Sequence, residues 1–397
     1  MADPTTTPVI LSAARTPIGK FLGALAGVPA PKLGAIAVRE ALRRAGVPDS
    51  AVDEVILGNV VQGGVGQAPA RQAMIAAGLP GSVPALTINK VCGSGLKAVM
   101  LGAQAIKAGD AQVVVAGGME SMSNAPFYVF GMRNGVKFGN QNLVDGVIHD
   151  GLWCSFGNCH MGVHAEYTAQ KARISRGEQD RFAFESHQKA VAAQDAGKFA
   201  AEIVPVDIPD RKGTITVSMD EAPRRDTTIE ALAKLKPAFV KDGGSVTAGN
   251  APGLNDGASA LVVASLAFAK ANGLEPLARI TAYATGGGEP KDLFFAPILA
   301  VRNLMQKAGT GIGDYDLIEA NEAFAVQALA DGAALGWDWA RVNVHGGAVA
   351  LGHPIGASGA RVLTTLLYAM QDRGKATGLA TLCLGGGSAV ALSVERI

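Results

Sequence analysis

The stretch GSGLKAVMLGAQAIKAGDAQVVVAGG, residues 93–118, reads as a glycine turn, a buried helix, an acidic turn, a β-branched strand and a pair of glycines. The same order returns in ASGARVLTTLLYAMQDRGKATGLATLCLGGG, residues 357–387, with a slightly longer link from helix to strand. Two copies, rather than a short solenoid period, predict two related α/β halves packed together. Upstream, TPVILSAA and EVILGNVV read as short strands. Between them APKLGAIAVREALRRAG carries apolar residues at helical spacing and stops at Gly46.

Residues from about 122 to 254 break this grammar. They hold FGMRNGVKFGNQNLVDG, a cluster around Cys154, an amphipathic stretch from Glu178 to Lys198 and the charged run PDRKGTITVSMDEAPRRD. The first half resumes at LNDGASALVVAS, so the segment reads as an insertion. Long irregular insertions in compact proteins serve as lids, binding elements or interfaces.

The chain has 397 residues, too many for one ordinary core. Hydrophobic residues make up 48% and charged residues 17%, with 51 glycines. That balance suits a compact α/β protein with much buried surface, some of it between subunits. A net charge of +1 and the lack of basic runs interleaved with aromatics argue against nucleic-acid binding. No apolar run reaches membrane-spanning length. The first residues carry neither a secretory apolar core nor an Arg-rich transit pattern, and Cys92, Cys154, Cys159 and Cys383 are too few for a disulfide scaffold. The expected compartment is the cytoplasm.

Four short segments carry chemistry: VCGSG around Cys92, NEAFA from Asn321, GGAVALGHPIGASG around His353, and LCLGGG around Cys383. Each alone has a plain structural reading: a packing thiol, a helix cap, a turn histidine, a buried strand cysteine. Together they put two thiols, an imidazole and an amide at strand ends or glycine turns, where backbone amides are free. That is where catalytic groups gather in open α/β sheets.

In this order and over essentially the full length, the four segments resemble the thiolases, most closely their acetyl-CoA acetyltransferase branch. The resemblance implies a five-layered αβαβα fold with an inserted loop domain. It divides the chain into an N-terminal half (1–121 and 255–277), the insertion (122–254) and a C-terminal half (278–397). It also implies a homotetramer, a dimer of dimers, since RNGVKFG is similar to the family's tetramerisation loop. DGLWCSFGNCHMG is similar to the acyl-pocket lining, and VTAGNAPGLNDGAS to a loop touching pantetheine.

By the same resemblance Cys92 carries the acyl group, His353 takes its proton and Cys383 handles the α-proton of the incoming acetyl-CoA. His353 and a water held by Asn321 receive the enolate. The amides of Cys92 and Gly385 receive the tetrahedral intermediate. Leu152, His160, Met161, Arg224, Ala248, Pro252, Ala323 and Phe324 are expected at the coenzyme A and acyl site. Pro252 stands where close relatives carry a serine, and proline offers neither hydroxyl nor N–H. His345 replaces an asparagine of the common NxNGGA pattern. Acetyl-CoA, acetoacetyl-CoA and coenzyme A are then substrates and products, with no separate cofactor and no metal.

Rival readings are few. A broad-range degradative 3-ketoacyl-CoA thiolase uses the same residues. A β-ketoacyl synthase pairs its cysteine with two histidines, or with a histidine and an asparagine, so Cys383 speaks against it. A silent coenzyme A ester-binding protein would not need the full Cys92, His353, Cys383 and Asn321 set. Zinc on Cys154, Cys159, His160 and His164 would need a longer arm between the ligand pairs.

Overall fold

The computed structural model describes residues 3–211 and 213–397. Met1 and Ala2, in the expected N-terminal half, and Lys212, in the charged run, lie outside the described residues. Nine strands follow one path through the main sheet. They are β1 (Pro8–Arg15), β2 (Glu54–Gly58), β3 (Ala85–Ile88), β4 (Val113–Ser121), β5 (Asn255–Ser265), β6 (Ala278–Gly287), β7 (Leu317–Ala320), β8 (Thr377–Leu384) and β9 (Ser388–Glu395). Their spatial order is β7-β8-β9-β6-β1-β5-β4-β2-β3, with the short strand Gly19–Lys20 pairing beside β5.

The order contains the same figure twice. In the first half β2 runs parallel to β4, which pairs antiparallel with β5, which pairs antiparallel with β1. In the second half β7, β8, β9 and β6 repeat that figure. The halves meet at β1 and β6 through two residue pairs, Val9 with Arg279 and Ile10 with Ala278.

Period-two alternation distributes the strand side chains among three cores. Val9, Val113, Val115 and Val262 face Leu33, Val38 and Leu42 of helix α1 (Ala30–Ala45), beside α2 (Pro69–Ala76). Their neighbours Ile10, Val114, Leu261 and Val263 face a middle layer built from α3 (Ser94–Ala108) and α8 (Ile355–Asp372). Ala380, Leu382, Val390 and Leu392 pack on that layer from the other side. Leu379, Ala389 and Ala391 turn outward onto α6 (Ala296–Ala308). Helices, sheet, helices, sheet, helices: five layers, as the family resemblance implies.

The segment between β4 and β5 carries α4 (Met161–Ala172) and α5 (Arg176–Asp195), the latter opened by a capping box of Ser175 and Glu178. It is tied to the first half by Arg15. That fully buried guanidinium is bonded to Glu202 at 2.7 Å and clamped by both oxygens of Asp220 at 2.7 and 2.9 Å. Helix α7 (Ala325–Leu335) follows β7.

The middle layer is close-packed at two glycines. A Cβ on Gly95 of α3 would sit 2.6 Å from the backbone nitrogen of Ala360, and one on Gly359 of α8 would strike the nitrogen of Leu96. We predict opposite signs for two Gly→Ala changes, both within helices. Gly177→Ala, with open space around it, should stabilise by about 1 kcal/mol through backbone entropy. Gly95→Ala should destabilise by about 1–3 kcal/mol through overpacking. Denaturant midpoints measure both, and a neutral Gly95→Ala would mean that the helices can move apart freely.

Candidate active site

Four helix N-termini surround one apolar cavity of about 350 Å³. Cys92 lies two residues before α3, His160 caps α4, Phe324 precedes α7 and His353 stands just ahead of α8. All four residues line the cavity. Helix dipoles therefore converge on it, an arrangement that favours developing negative charge.

Cys92 is held by a strained turn. Val91 has φ +46°, a conformation that costs a β-branched residue energy. The turn is locked from several sides: Val91 N–H donates to Asn89 Oδ1 at 2.9 Å, and the Ser94 hydroxyl donates to Val91 O at 2.6 Å while accepting from Lys90 N–H at 2.9 Å. The amides of Cys92 and Gly385 both point at the Cys92 sulfur. Burial nonetheless pushes the thiol up to about 12, with those two amides pulling the other way.

His353 is buried rather than on the surface. Its Nδ1 lies 2.6 Å from Ser358 Oγ, whose hydroxyl in turn donates to Pro354 O at 2.9 Å. With the serine proton spent on Pro354, Ser358 accepts from Nδ1–H, and the lone pair stays on Nε2. That nitrogen is 3.4 Å from Asn321 Nδ2. Asn255 fixes the main chain, accepting from His353 N–H at 2.8 Å and donating to Gly19 O at 2.9 Å. Burial lowers the imidazole to about 3, and the Arg361 charge adds to the effect. At neutral pH the resting pair is a neutral thiol beside a neutral imidazole.

Cys383, at the end of β8, is buried on the same cavity. Burial, then the Cys92 sulfur and Asp331, push it well above the ordinary thiol range. Asn321 follows β7 and donates its N–H to Thr381 O at 3.0 Å. It does not cap a helix, because α7 starts only at Ala325. Among the described residues its Oδ1 has no hydrogen-bond partner.

Of the residues expected from sequence, Cys92, Leu152, His160, Met161, Pro252, Ala323, Phe324, His353, Cys383 and Gly385 all line the cavity. Asn321 reaches it through His353. Arg224 and Ala248 are not on its wall; both side chains are exposed. His345 is buried elsewhere, edge-on to Phe199 at 6.0 Å and 4.0 Å from Asp372. Sequence reasoning passed over Phe239, which stacks on His160 at 4.7 Å, and Phe294, which meets Phe324 at 5.2 Å. It also passed over Ser358 and Asn255. Ser358 sits in the quoted GASG run, and its i+5 spacing from His353 was the available signal. Among the described residues no group of three or more His, Cys, Asp or Glu side chains gathers in a way that could hold a metal ion.

A layered α/β chain whose internal repeat places two thiols and an imidazole on one cavity is a narrow structural class. Its family follows from comparison: residues 8–267 match the thiolase N-terminal domain and residues 274–396 the thiolase C-terminal domain. The chain belongs to the thiolase family. It is 58% identical over 389 residues to an acetyl-CoA acetyltransferase of Pseudomonas aeruginosa, covering 98% of this chain and 99% of that one. A Cupriavidus necator acetyl-CoA acetyltransferase is 56% identical, at 98% and 100% coverage. The crystal structure of the Bacillus anthracis acetyl-CoA acetyltransferase superposes with a TM-score of 0.97 at 44% identity, covering 98% of this chain and 99% of that chain.

Two predictions test the geometry. Because His353 is held neutral down to about pH 3, single-turnover acylation of Cys92 should show no inflection near pH 6.5, where a free imidazole titrates. A fall in rate through that pH would mean the ring is solvated. Ser358→Ala removes the acceptor that fixes the tautomer, worth about 1 kcal/mol, and should lower kcat roughly five- to tenfold with KM little changed. An unchanged kcat would show that another group orients the ring.

Proposed function

We propose that this protein is an acetyl-CoA acetyltransferase, reversibly condensing two acetyl-CoA into acetoacetyl-CoA and coenzyme A. The observation that carries the reading is the pairing of Cys92 and Cys383 across one apolar cavity, with His353 between helix N-termini. One thiol can hold the acyl group while the other moves protons, and the relatives named above bear this activity in their names.

Neutral resting groups suggest the order of proton transfers. Cys92 attacks the thioester carbonyl as His353 Nε2 takes its proton. The amides of Cys92 and Gly385 stabilise the tetrahedral oxyanion. As it collapses, the departing coenzyme A thiolate takes the proton of Cys383. Acetyl-Cys92, an imidazolium and a Cys383 thiolate remain, the last two stabilising each other. The Cys383 thiolate, strongly basic because it is buried, removes the α-proton of the second acetyl-CoA. The enolate oxygen lies against the His353 N–H and a water on Asn321, whose Oδ1 is free of protein partners among the described residues. Attack on acetyl-Cys92 then expels its thiolate, which recovers the proton from His353. Protons balance over the cycle.

Leu152, His160, Met161 and Pro252 bound the acyl and pantetheine path, while exposed Arg224 and Ala248 fit an outer position along coenzyme A. Pro252, on the cavity wall, has neither hydroxyl nor N–H to donate to the pantetheine. The exposed Phe127, Phe130, Met132 and Phe138 support assembly as a homotetramer through the segment around RNGVKFG. No helix among the described residues is long and apolar enough to cross a membrane. A cytoplasmic enzyme at the two-carbon step of fatty acid metabolism fits these features.

Two measurements decide. Cys383→Ala should acquire acetyl label on the Cys92 peptide yet exchange the α-protons of acetyl-CoA with deuterated solvent at least about a hundredfold more slowly than wild type. Exchange at the wild-type rate would move the base to His353. A thiolysis series from four carbons upward should fall steeply after acetoacetyl-CoA. A flat profile would favour the broad-range degradative thiolase.

A further inference from the structure

Within the run C-x4-C-H-x3-H, residues 154–164, His160 lines the substrate cavity, whereas Cys154, Cys159 and His164 have no part in the chemistry above. The run forms a short hairpin in which Trp153 pairs with His160 and Cys154 with Cys159. Alternation sends the two pairs to opposite faces. His160 faces the cavity and stacks on Phe239, so the two thiols share the face turned away from the substrate. Cys154 is buried and Cys159 half-buried, and the turn 155–158 between them is exposed.

Both sulfurs gather at the foot of that turn. Gly157 N–H donates to Cys154 Sγ at 3.3 Å, and a Cβ on Gly157 would lie 3.3 Å from Cys159 Sγ and 3.1 Å from His164 Nε2. Cys159 Sγ is itself 3.6 Å from His164 Nε2. The Lys291 backbone carbonyl accepts from the His164 ring. In the tautomer with its proton on Nδ1, the Nε2 lone pair faces the Cys159 S–H. A thiol, a base within reach and a third group orienting the base make a nucleophile constellation. A second thiol at the cross-strand position makes it a dithiol.

We propose that Cys159 is a reactive thiol, activated by His164 and resolved by Cys154, which takes small disulfides of the glutathione type. His164 Nε2 receives the Cys159 proton as the sulfur attacks one sulfur of the small disulfide. The S–S bond breaks, and the departing thiolate takes the proton from His164, leaving a mixed disulfide on Cys159. Cys154 then attacks the Cys159 sulfur, its proton leaving with the second small thiol. Two protein thiols are oxidised to one disulfide, and one small disulfide is reduced to two thiols. Burial raises Cys159 and lowers His164, which favours transfer of the proton as the sulfur attacks. The half-buried Cys159 meets the reagent while the buried Cys154 stays behind as resolver.

The test uses the full chain, treated with oxidised glutathione at neutral pH, alkylated and digested with trypsin. Residues 138–171 form one peptide with both cysteines, while Cys92 and Cys383 fall on peptides 91–97 and 376–396. In wild type the 138–171 peptide should become lighter by two hydrogens and resist alkylation. Cys154→Ser should stop at a glutathione adduct on Cys159, and His164→Gln should slow the reaction at least about tenfold. Full alkylation of both cysteines in treated wild type would overturn the proposal, whatever the variants do. Wild-type speed in His164→Gln, or an adduct forming at that speed on Cys154 in Cys159→Ser, would overturn the assignment of base and nucleophile.

Discussion

Backbone meets backbone where α3 crosses α8, and the active cavity depends on that contact. Only because Gly95 and Gly359 present no side chain can two helices from different halves lie this close in one layer. Their N-termini are thereby brought to the same place, one just after Cys92 and the other just after His353. Glu120, at the end of β4, holds the junction. Its buried carboxyl accepts from Val60 and Val61 N–H at 3.1 and 3.2 Å, from Gly356 N–H at 2.9 Å and from Asn59 Nδ2 at 2.8 Å. One side chain thus joins a strand end of the first half to the first turn of α8 in the second.

Two kinds of buried polarity serve different ends here. Around Arg15 the ions are fully paired, with Glu202 and Asp220 matching the guanidinium's fork and Thr365 adding a bond to Glu202 at 3.2 Å. Such a cluster adds little net stability over apolar packing, but it admits one docking of the inserted segment on the first half. Near the cavity the polar groups are left neutral and under-bonded instead. Burial keeps the Cys92 and Cys383 thiols protonated and the His353 ring uncharged, and Asn321 Oδ1 has no partner among the described residues. Neutral groups that charge only during turnover interact strongly when they do, since little water screens them.

Much of this was legible in the chain because it is written in local patterns. The repeated turn-helix-strand grammar marked the two halves, and α1 stops at Gly46 as expected, the structure placing that residue in the left-handed conformation. Cys92, His353 and Cys383 announced themselves by glycines beside reactive side chains. What stayed hidden depends on contacts between distant segments. Nothing near Asn255 says that its amide will clamp residue 353, almost a hundred positions later. Nothing around Phe239 says that it will lie on His160. Val91 was silent too, since a β-branched residue at positive φ contradicts local preference and exists only because its surroundings enforce it.

The segment from 122 to 254 leaves from Ser121 and returns at Asn255, and Asp256 pairs directly with Ser121 in neighbouring strands. Asp256 also takes both the N–H and the hydroxyl of Ser123, at 2.9 and 2.6 Å, closing the neck from below. A long excursion whose two feet stand side by side on a rigid sheet can be rewritten without disturbing that sheet, because loop-closure entropy grows slowly with length. Leu152, His160, Met161, Phe239 and Pro252 all belong to the excursion, whereas Cys92, Asn321, His353 and Cys383 do not. Evolution can therefore retailor what the cavity admits while the bond-making apparatus is inherited intact.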